Sequence, residues 1–414
     1  MNSERPHDIV LFGCTGFTGE LAAEYLARHA PPDTRWALAG RNQAKLEALR
    51  ERLAQTTPAC GELTLLQADA GDPASLREVA ESTRVVITTV GPYIKYGEPL
   101  VAACAEAGTD YVDLTGEPEF ADLMYVRHHA RAAETGARIV HACGFDSIPH
   151  DLGVLFTVEK LPEGVPIKVD GYVRAGGTPS GGTFHTAITG MSRVREMAKV
   201  AKERRNMEPR PEHRRVRGAK GAPHRAGDVN AWAVPLPTID PQIVLRSARA
   251  LERYGPDFSY GHWAAVKRLP IAVGGVAGVA GLAALAQLPP ARRWLLGRLN
   301  PGEGPSPEKR AKSWFKVRFV GEGGGQRVVT QVSGGDPGYS ETSKMIAESA
   351  LCLAHDELPS SAGQVTTAEA MGDALIERLQ RAGIKFEVLE GGAGPEREAQ
   401  FSEGSSGIRA TSAN

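Results

Sequence analysis

The apolar run Ile9-Val10-Leu11-Phe12 opens directly onto Gly13, Gly16 and Gly19, three glycines spaced three apart, and a stretch with Phe17, Leu21, Ala22, Tyr25 and Leu26 on one side follows at once. This reads as strand, tight turn, helix. Gly13 permits the turn, Gly16 lets a diphosphate approach the backbone, and Gly19 lets helix and strand pack closely. The helix N-terminus then offers free N–H groups and the positive end of its dipole to the anion. Gly13, Thr15, Gly16, Phe17, Thr18 and Gly19 are therefore the expected dinucleotide contacts. A bare glycine trio is weak evidence, but here the strand before it and the helix after it are both present.

The same unit repeats. A strand at residues 35–41 precedes a helix capped by Asn42 with Leu46, Leu49 and Leu53 inward; a third strand, 63–69, precedes Asp72-Pro73, a cap followed by a proline at the first helical position. Strands at 84–90, 111–114 and 138–141 alternate with helices near 99–107 and 119–135. Such repeats imply an α/β chain of the Rossmann type, a doubly wound parallel sheet. The end of the second strand selects the coenzyme. An acidic residue there would bind a ribose 2′-hydroxyl, but Gly40-Arg41 offers a guanidinium suited to a 2′-phosphate, so NADP(H) is expected. Asp69 closes the third strand beside it. The plainer alternative is that Arg41 is a solvated surface residue.

Ligands of such sheets bind beyond the carboxyl ends of the strands. Gly91-Pro92 after the fourth strand would let backbone pass beneath the nicotinamide, and Tyr93, Glu117 and Asp146, all at strand ends, are groups able to donate or order a proton. Tyr93 is the first catalytic candidate and Asp146 the second. Asp146 reads equally as a cap for the helix that begins near Ser147-Ile148-Pro149. A short-chain reductase is unlike this chain: that chemistry needs Tyr and Lys one helical turn apart, and none of the nine tyrosines has Lys four residues later.

Together, Gly13 to Gly19, Ala39-Gly40-Arg41, Val90-Gly91-Pro92-Tyr93 with Tyr96-Gly97, Tyr111 to Glu117 and Gly144 to Pro149 resemble the saccharopine dehydrogenase-like oxidoreductases, and within them the bacterial trans-acting enoyl reductases. Ser180 to Thr183 and Gly334 to Tyr339 continue the likeness over nearly the whole chain. The resemblance implies an NADP-binding fold. It further implies reduction of an enoyl group on a hydrophobic acyl or polyketide-type chain in lipid or glycolipid synthesis, whereas the saccharopine-forming enzymes themselves reduce an imine.

Beyond residue 155 the pattern changes to mixed elements, expected to form a second α+β domain over 156–390 for substrate or dimerisation, giving a homodimer as one assembly; the Gly, Ser and charge-rich 391–414 reads as a disordered tail. Gly176 to Thr183 is glycine-rich enough for a mobile lid, or is a plain loop before a helix. From Arg193 to Arg225 there are twelve Lys or Arg and four Glu, a solvated face or a dock for anionic headgroups or an acyl carrier protein. Residues 269–288 carry no charge and are flanked by Lys267-Arg268 and Arg292-Arg293. Their Ala and Gly content favours a helix that touches the membrane surface or lines an acyl channel over one that spans a bilayer. A formal net charge of −1 and the want of interleaved aromatics exclude a nucleic-acid binder. Five cysteines show neither metal-ligand nor disulfide spacing, so no metal is expected. With the first strand starting by residue 8 there is no room for a leader, which points to the cytoplasm, with contact at the plasma membrane through 269–288. Two rivals remain: an imine or ketone reductase, and a lipid-attached NADP(H)-binding protein without catalysis.

Overall fold

The computed structural model describes residues 5–177, 181–219, 221–297 and 304–391, and every count below refers to these. The N-terminal part runs β1 (His7–Phe12), α1 (Phe17–His29), β2 (Trp36–Gly40), α2 (Gln43–Thr56), β3 (Thr64–Gln67), α3 (Pro73–Ser82), β4 (Thr83–Thr88), α4 (Tyr93–Tyr96), α5 (Glu98–Ala107), β5 (Asp110–Asp113), α6 (Pro118–Thr135), β6 (Arg138–Val140) and α7 (Ile148–Val158). The local signals act as expected: the side chain of Asn42 accepts from Lys45 N, that of Asp72 accepts from Ala74 N, and Leu46, Leu49 and Leu53 are buried.

The second part holds β7 (Ile167–Gly176), α8 (Gly181–Ser192), α9 (Val194–Met207), β8 (Arg215–Gly218), β9 (His224–Ala226), β10 (Ala231–Pro235), α10 (Asp240–Ala250), β11 (Asp257–Val266), α11 (Leu269–Ala286), α12 (Pro289–Leu296), α13 (Pro307–Ala311), β12 (Trp314–Gly323) and β13 (Gln326–Gly334). The chain then returns through α14 (Ser340–His355), β14 (Gly363–Val365), α15 (Thr367–Ala370), α16 (Gly372–Arg381) and β15 (Lys385–Glu390).

Two sheets result. The first is a seven-stranded parallel sheet of order β14-β6-β5-β4-β1-β2-β3, its middle strands buried on both faces. The second, mixed sheet has the order β15-β13-β12-β7-β11-β10-β9, with β8 pairing β11. The first sheet takes its seventh strand from residues 363–365, and α14 packs on α1 and β4, so the nucleotide-type sheet draws on chain from both sides of residue 155. A three-residue strand carries no periodic signal, and β14 was not foreseen. α15 and α16 are separate helices because Gly372 takes a left-handed φ of 46°. Residues 178–180 of the expected lid lie outside the described ones, and Gly181 already opens α8. The expected tail from 392 onward also lies outside them.

α7 joins the two sheets. Its N-terminus follows β6 at the carboxyl edge of the first sheet, while a Cβ on Gly153 would sit 2.3 Å from Phe319 Cε2 of the second. Asp151, fully buried, accepts from Thr367 Oγ1 at 2.7 Å and Ala368 N at 2.9 Å, and from Ser247, pinning α7 to α15 and α10. A helix fixed this firmly sets the position of the residues just before it.

Candidate active site

The first turn has the shape its glycines require. Gly13 adopts φ 85°, and a Cβ there would meet Val90 Cγ2 at 2.6 Å; one on Gly19 would meet Gly13 O at 2.3 Å. Around Gly16 the space is open, the nearest heavy atom to a Cβ being Gly13 O at 3.5 Å. Gly16 supplies no side-chain cap to α1, so the first-turn N–H groups of Phe17, Thr18 and Gly19 point out of the helix end, beside Thr15. The residues present therefore fit a diphosphate: a cradle without side chains, ringed by donors. Gly19→Ala should lower the thermal midpoint by several degrees, about 1–3 kcal/mol, as helix and turn are forced apart; an unchanged melt would show that this packing is slack.

The ends of β2 and β3 enclose a cleft of about 390 Å³ lined by Arg41, Gln67, Ala68, Asp69, Asp72, Ala74, Ser75 and Glu78. Gly40 ends β2 at its rim. Arg41 reaches over the cleft with its side chain 77% exposed, its Nε 4.0 Å from Asp69 Oδ2. Asp69 and Asp72 are committed to the loop, accepting from Gly71 N at 2.8 Å and Ala74 N at 3.1 Å. The guanidinium is the group in this lining that can neutralise a 2′-phosphate.

At the other end of the groove the three proton-handling candidates part company. Gly91 is exposed and joined to Pro92 by a cis peptide, close to the first turn. Tyr93, by contrast, is buried: its hydroxyl donates to Thr88 O at 3.1 Å and accepts from Leu114 N at 3.1 Å. Burial, and after it the charge of Asp113, pushes its pKa well above the phenol's ordinary value. That corrects the expectation of Tyr93 as donor to a substrate, for both its hydrogen-bonding directions are spent stapling β4 to β5. Glu117 is likewise occupied, accepting from Tyr93 N and Ile94 N at 2.9 Å each, a clamp on the start of α4.

Asp146 is different. No hydrogen bond reaches its half-buried carboxylate among the described residues, and its Oδ2 lies 2.9 Å from where a Cβ of Gly116 would stand. Burial first, then repulsion by Asp240, raises its pKa to about 6, with His150 pulling the other way. Ser147, next to it, holds a strained φ of 128°. Behind it lies a buried group no spacing could reveal, because its members come from α7, α10 and β11. His150 Nδ1 is 2.9 Å from Asp240 Oδ1, His262 Nε2 is 3.4 Å from Asp240 Oδ2, and Tyr260 OH meets His262 Nδ1 at 2.9 Å. Burial alone would raise the Asp240 pKa, but His150 and His262 hold it well below the usual range, so a fixed negative charge faces Asp146.

Comparison with known proteins decides the lineage. The model of the saccharopine dehydrogenase NADP-binding domain matches residues 9–140. A putative trans-acting enoyl reductase of Mycobacterium tuberculosis is 40% identical over 416 residues, covering 92% of this chain and 97% of that protein. The chain belongs to the saccharopine dehydrogenase-like oxidoreductases. A protein named for that family in Bos taurus is 33% identical across 93% of this chain and 98% of its own length. A trans-acting enoyl reductase of Mycobacterium ulcerans is 36% identical across 92% and 98%. The fold is shared with apo saccharopine dehydrogenase of Saccharomyces cerevisiae, at TM-score 0.52 and 12% identity over 93% of this chain and all of that one. This member of the family is thus an NADP(H)-binding oxidoreductase.

In this family member three arginines of the basic run are engaged within the chain, while most of its other described cations are exposed. Arg193 pairs with Glu119, buried Arg204 with Asp122 and Glu208, and Arg214 donates to the carbonyls of Ala248, Leu251 and Gly255. The exposed face of α9 mixes Arg195, Lys199, Lys202 and Arg205 with Glu196 and Glu203. α11 is moored at one end only: Gln287 donates to Met191 O at 2.6 Å, and Ala286 packs near Ile188. Leu282 packs on the same cluster, whereas Ile271 and Val273 are 59% and 60% exposed and nothing lies within 4 Å of a Cβ on Gly274 or Gly278. The close helix approach those glycines permit is not used among the described residues.

Proposed function

We propose that this protein is an NADPH-dependent reductase of a carbon–carbon double bond in a hydrophobic acyl chain, working at the surface of a membrane. The observation that carries the reading is full-length likeness to proteins named trans-acting enoyl reductases, at 36% and 40% identity. The chemistry of the site supports it. The bound coenzyme supplies hydride to the β-carbon of the enoyl group. Asp146 is the acid: its pKa, raised to about 6, leaves the carboxyl protonated below that pH and still partly so above it, able to deliver a proton to the α-carbon. Gly116 lets the Asp146 carboxylate approach the loop after β5, where a Cβ would stand 2.9 Å from its Oδ2. Tyr93 and Glu117 act through position, holding the Gly91-Pro92 floor in place.

The apolar α11 supports the choice of a lipid-borne substrate. It is 18 residues long, apolar on every side, exposed over most of its length, and flanked by Lys267, Arg268, Arg292 and Arg293 with exposed Trp294 beyond. Apolar residues between cations and an interfacial tryptophan fit an anionic bilayer surface. The protein should co-sediment with vesicles containing anionic lipid, and an Ile271→Asp, Val273→Asp variant should remain in the supernatant while binding NADPH unchanged. Equal sedimentation of the two would remove α11 from the account. The function itself is tested by NADPH consumption with matched enoyl, keto and imino substrates. Turnover of the enoyl compound supports the proposal, and turnover confined to a keto or imino compound sinks it.

A further inference from the structure

The diphosphate turn contains no cation: residues 13–19 are Gly, Cys, Thr, Gly, Phe, Thr and Gly. Two negative charges would rest there on backbone N–H groups alone, yet another part of the chain brings a guanidinium to the spot. From Gly304 to α13 the chain lies against Phe17, the first residue of α1. Gly304 is pressed so flat on that ring that a Cβ would stand 2.1 Å from Phe17 Cε1. Six residues later Arg310, in α13, holds its guanidinium carbon 5.3 Å from the ring centroid. Its Nη1 donates to Pro305 O at 3.0 Å, which folds residues 305–310 into a closed strap. Tyr339 meets the same ring edge-on with centroids 4.9 Å apart.

We propose that Arg310 is a clamp on the coenzyme diphosphate, supplied by the second domain; the inference rests on the NADP(H) reading above. The stacking on Phe17 accounts for one face of the guanidinium and Pro305 for one nitrogen, and among the described residues its remaining N–H groups have no acceptor within the chain. A planar guanidinium stacked on the ring of the first residue of α1 is a donor that phosphate oxygens take up. Its neighbours Lys309 and Lys312 are exposed, whereas Arg310 is half-buried against the turn, so position rather than general basicity singles it out.

The test is titration of coenzyme fluorescence on the full chain, with NADPH and NADH in parallel, for Arg310→Met, Arg310→Lys and Lys309→Met. Because the diphosphate is common to both coenzymes, Arg310→Met should weaken NADPH and NADH by the same factor, about tenfold or more. Arg310→Lys, which keeps a cation over the ring, should recover part of the loss, and Lys309→Met should bind as the native protein does. Unchanged affinity in Arg310→Met would overturn the clamp whether its melting temperature falls or not, since a fall would then mark a purely structural stack. A loss confined to NADPH would overturn it too, by moving Arg310 to the 2′-phosphate. Native protein that bound neither coenzyme would fail earlier, at the coenzyme reading itself.

Discussion

Arg41→Ala should weaken NADPH by about 30- to 100-fold while leaving NADH within about twofold. The arithmetic is that of one charge-assisted phosphate contact, about 2–3 kcal/mol, with about 1.4 kcal/mol to each factor of ten. The surroundings push the effect toward the upper end. Asp69, Asp72 and Glu78 line the same cleft, so removing Arg41 leaves the 2′-phosphate facing three acidic side chains with no cation among the lining residues. NADH, with a hydroxyl in that place, loses little. Coenzyme titration at two salt concentrations checks both halves, because the NADPH advantage of the native protein should shrink as salt rises. An alanine variant that kept its preference for NADPH would return Arg41 to the status of a solvated side chain.

Asp146→Asn should lower kcat by about a hundredfold or more with coenzyme affinity unchanged, the scale of losing a positioned general acid. The pH dependence carries the sign. An acid must hold its proton, so native kcat should fall as pH rises through about 6, the value to which burial and Asp240 raise the carboxyl. The amide variant should lose that arm. Stability should move the other way. A carboxyl whose folded-state pKa is raised from 3.8 to about 6 penalises the folded state once it ionises, a cost absent below 3.8, growing between the two values and complete above about 6. Thermal melts should therefore find Asp146→Asn more stable than the native protein at pH 8 and level with it near pH 3.5. A variant that was slower but no more stable at pH 8 would show the acid already paired by another group.

What was legible in the chain was what neighbours in sequence decide. Asn42 and Asp72 cap the helices they precede, and Gly13 and Gly19 sit where any side chain would strike strand or turn. Strand ends were less legible, and for a physical reason. β6 stops at Val140 rather than His141, because the buried Asp113 carboxylate takes Ala142 N at 2.9 Å and pulls the backbone away from its neighbour. The same residue receives Thr115 N at 3.0 Å and Tyr111 OH at 3.0 Å, a hub that no period announces.

The site itself divides along that line. Its coenzyme half is built from consecutive residues and could be read directly. Its catalytic half depends on which side chains are already engaged. In a string of letters Tyr93 is the first candidate and Asp146 the second; in the fold Tyr93 is bonded on both sides, while Asp146 accepts no hydrogen bond among the described residues and has Asp240 near it. Asp240 and His262 come from α10 and β11 and Arg310 from α13, far along the chain, and only folding sets Asp240 near Asp146 and Arg310 over the ring of Phe17.

The most direct test of the whole account is to follow the hydride. With NADPH deuterated at the nicotinamide C4 position and a medium-chain enoyl thioester in anionic vesicles, the saturated product should carry deuterium at the β-carbon and a solvent proton at the α-carbon. The same label in Asp146→Asn should appear only at the much reduced rate. Deuterium found on a carbinol or amine carbon instead, or none transferred to any lipid while NADPH binds tightly, would contradict the central claim.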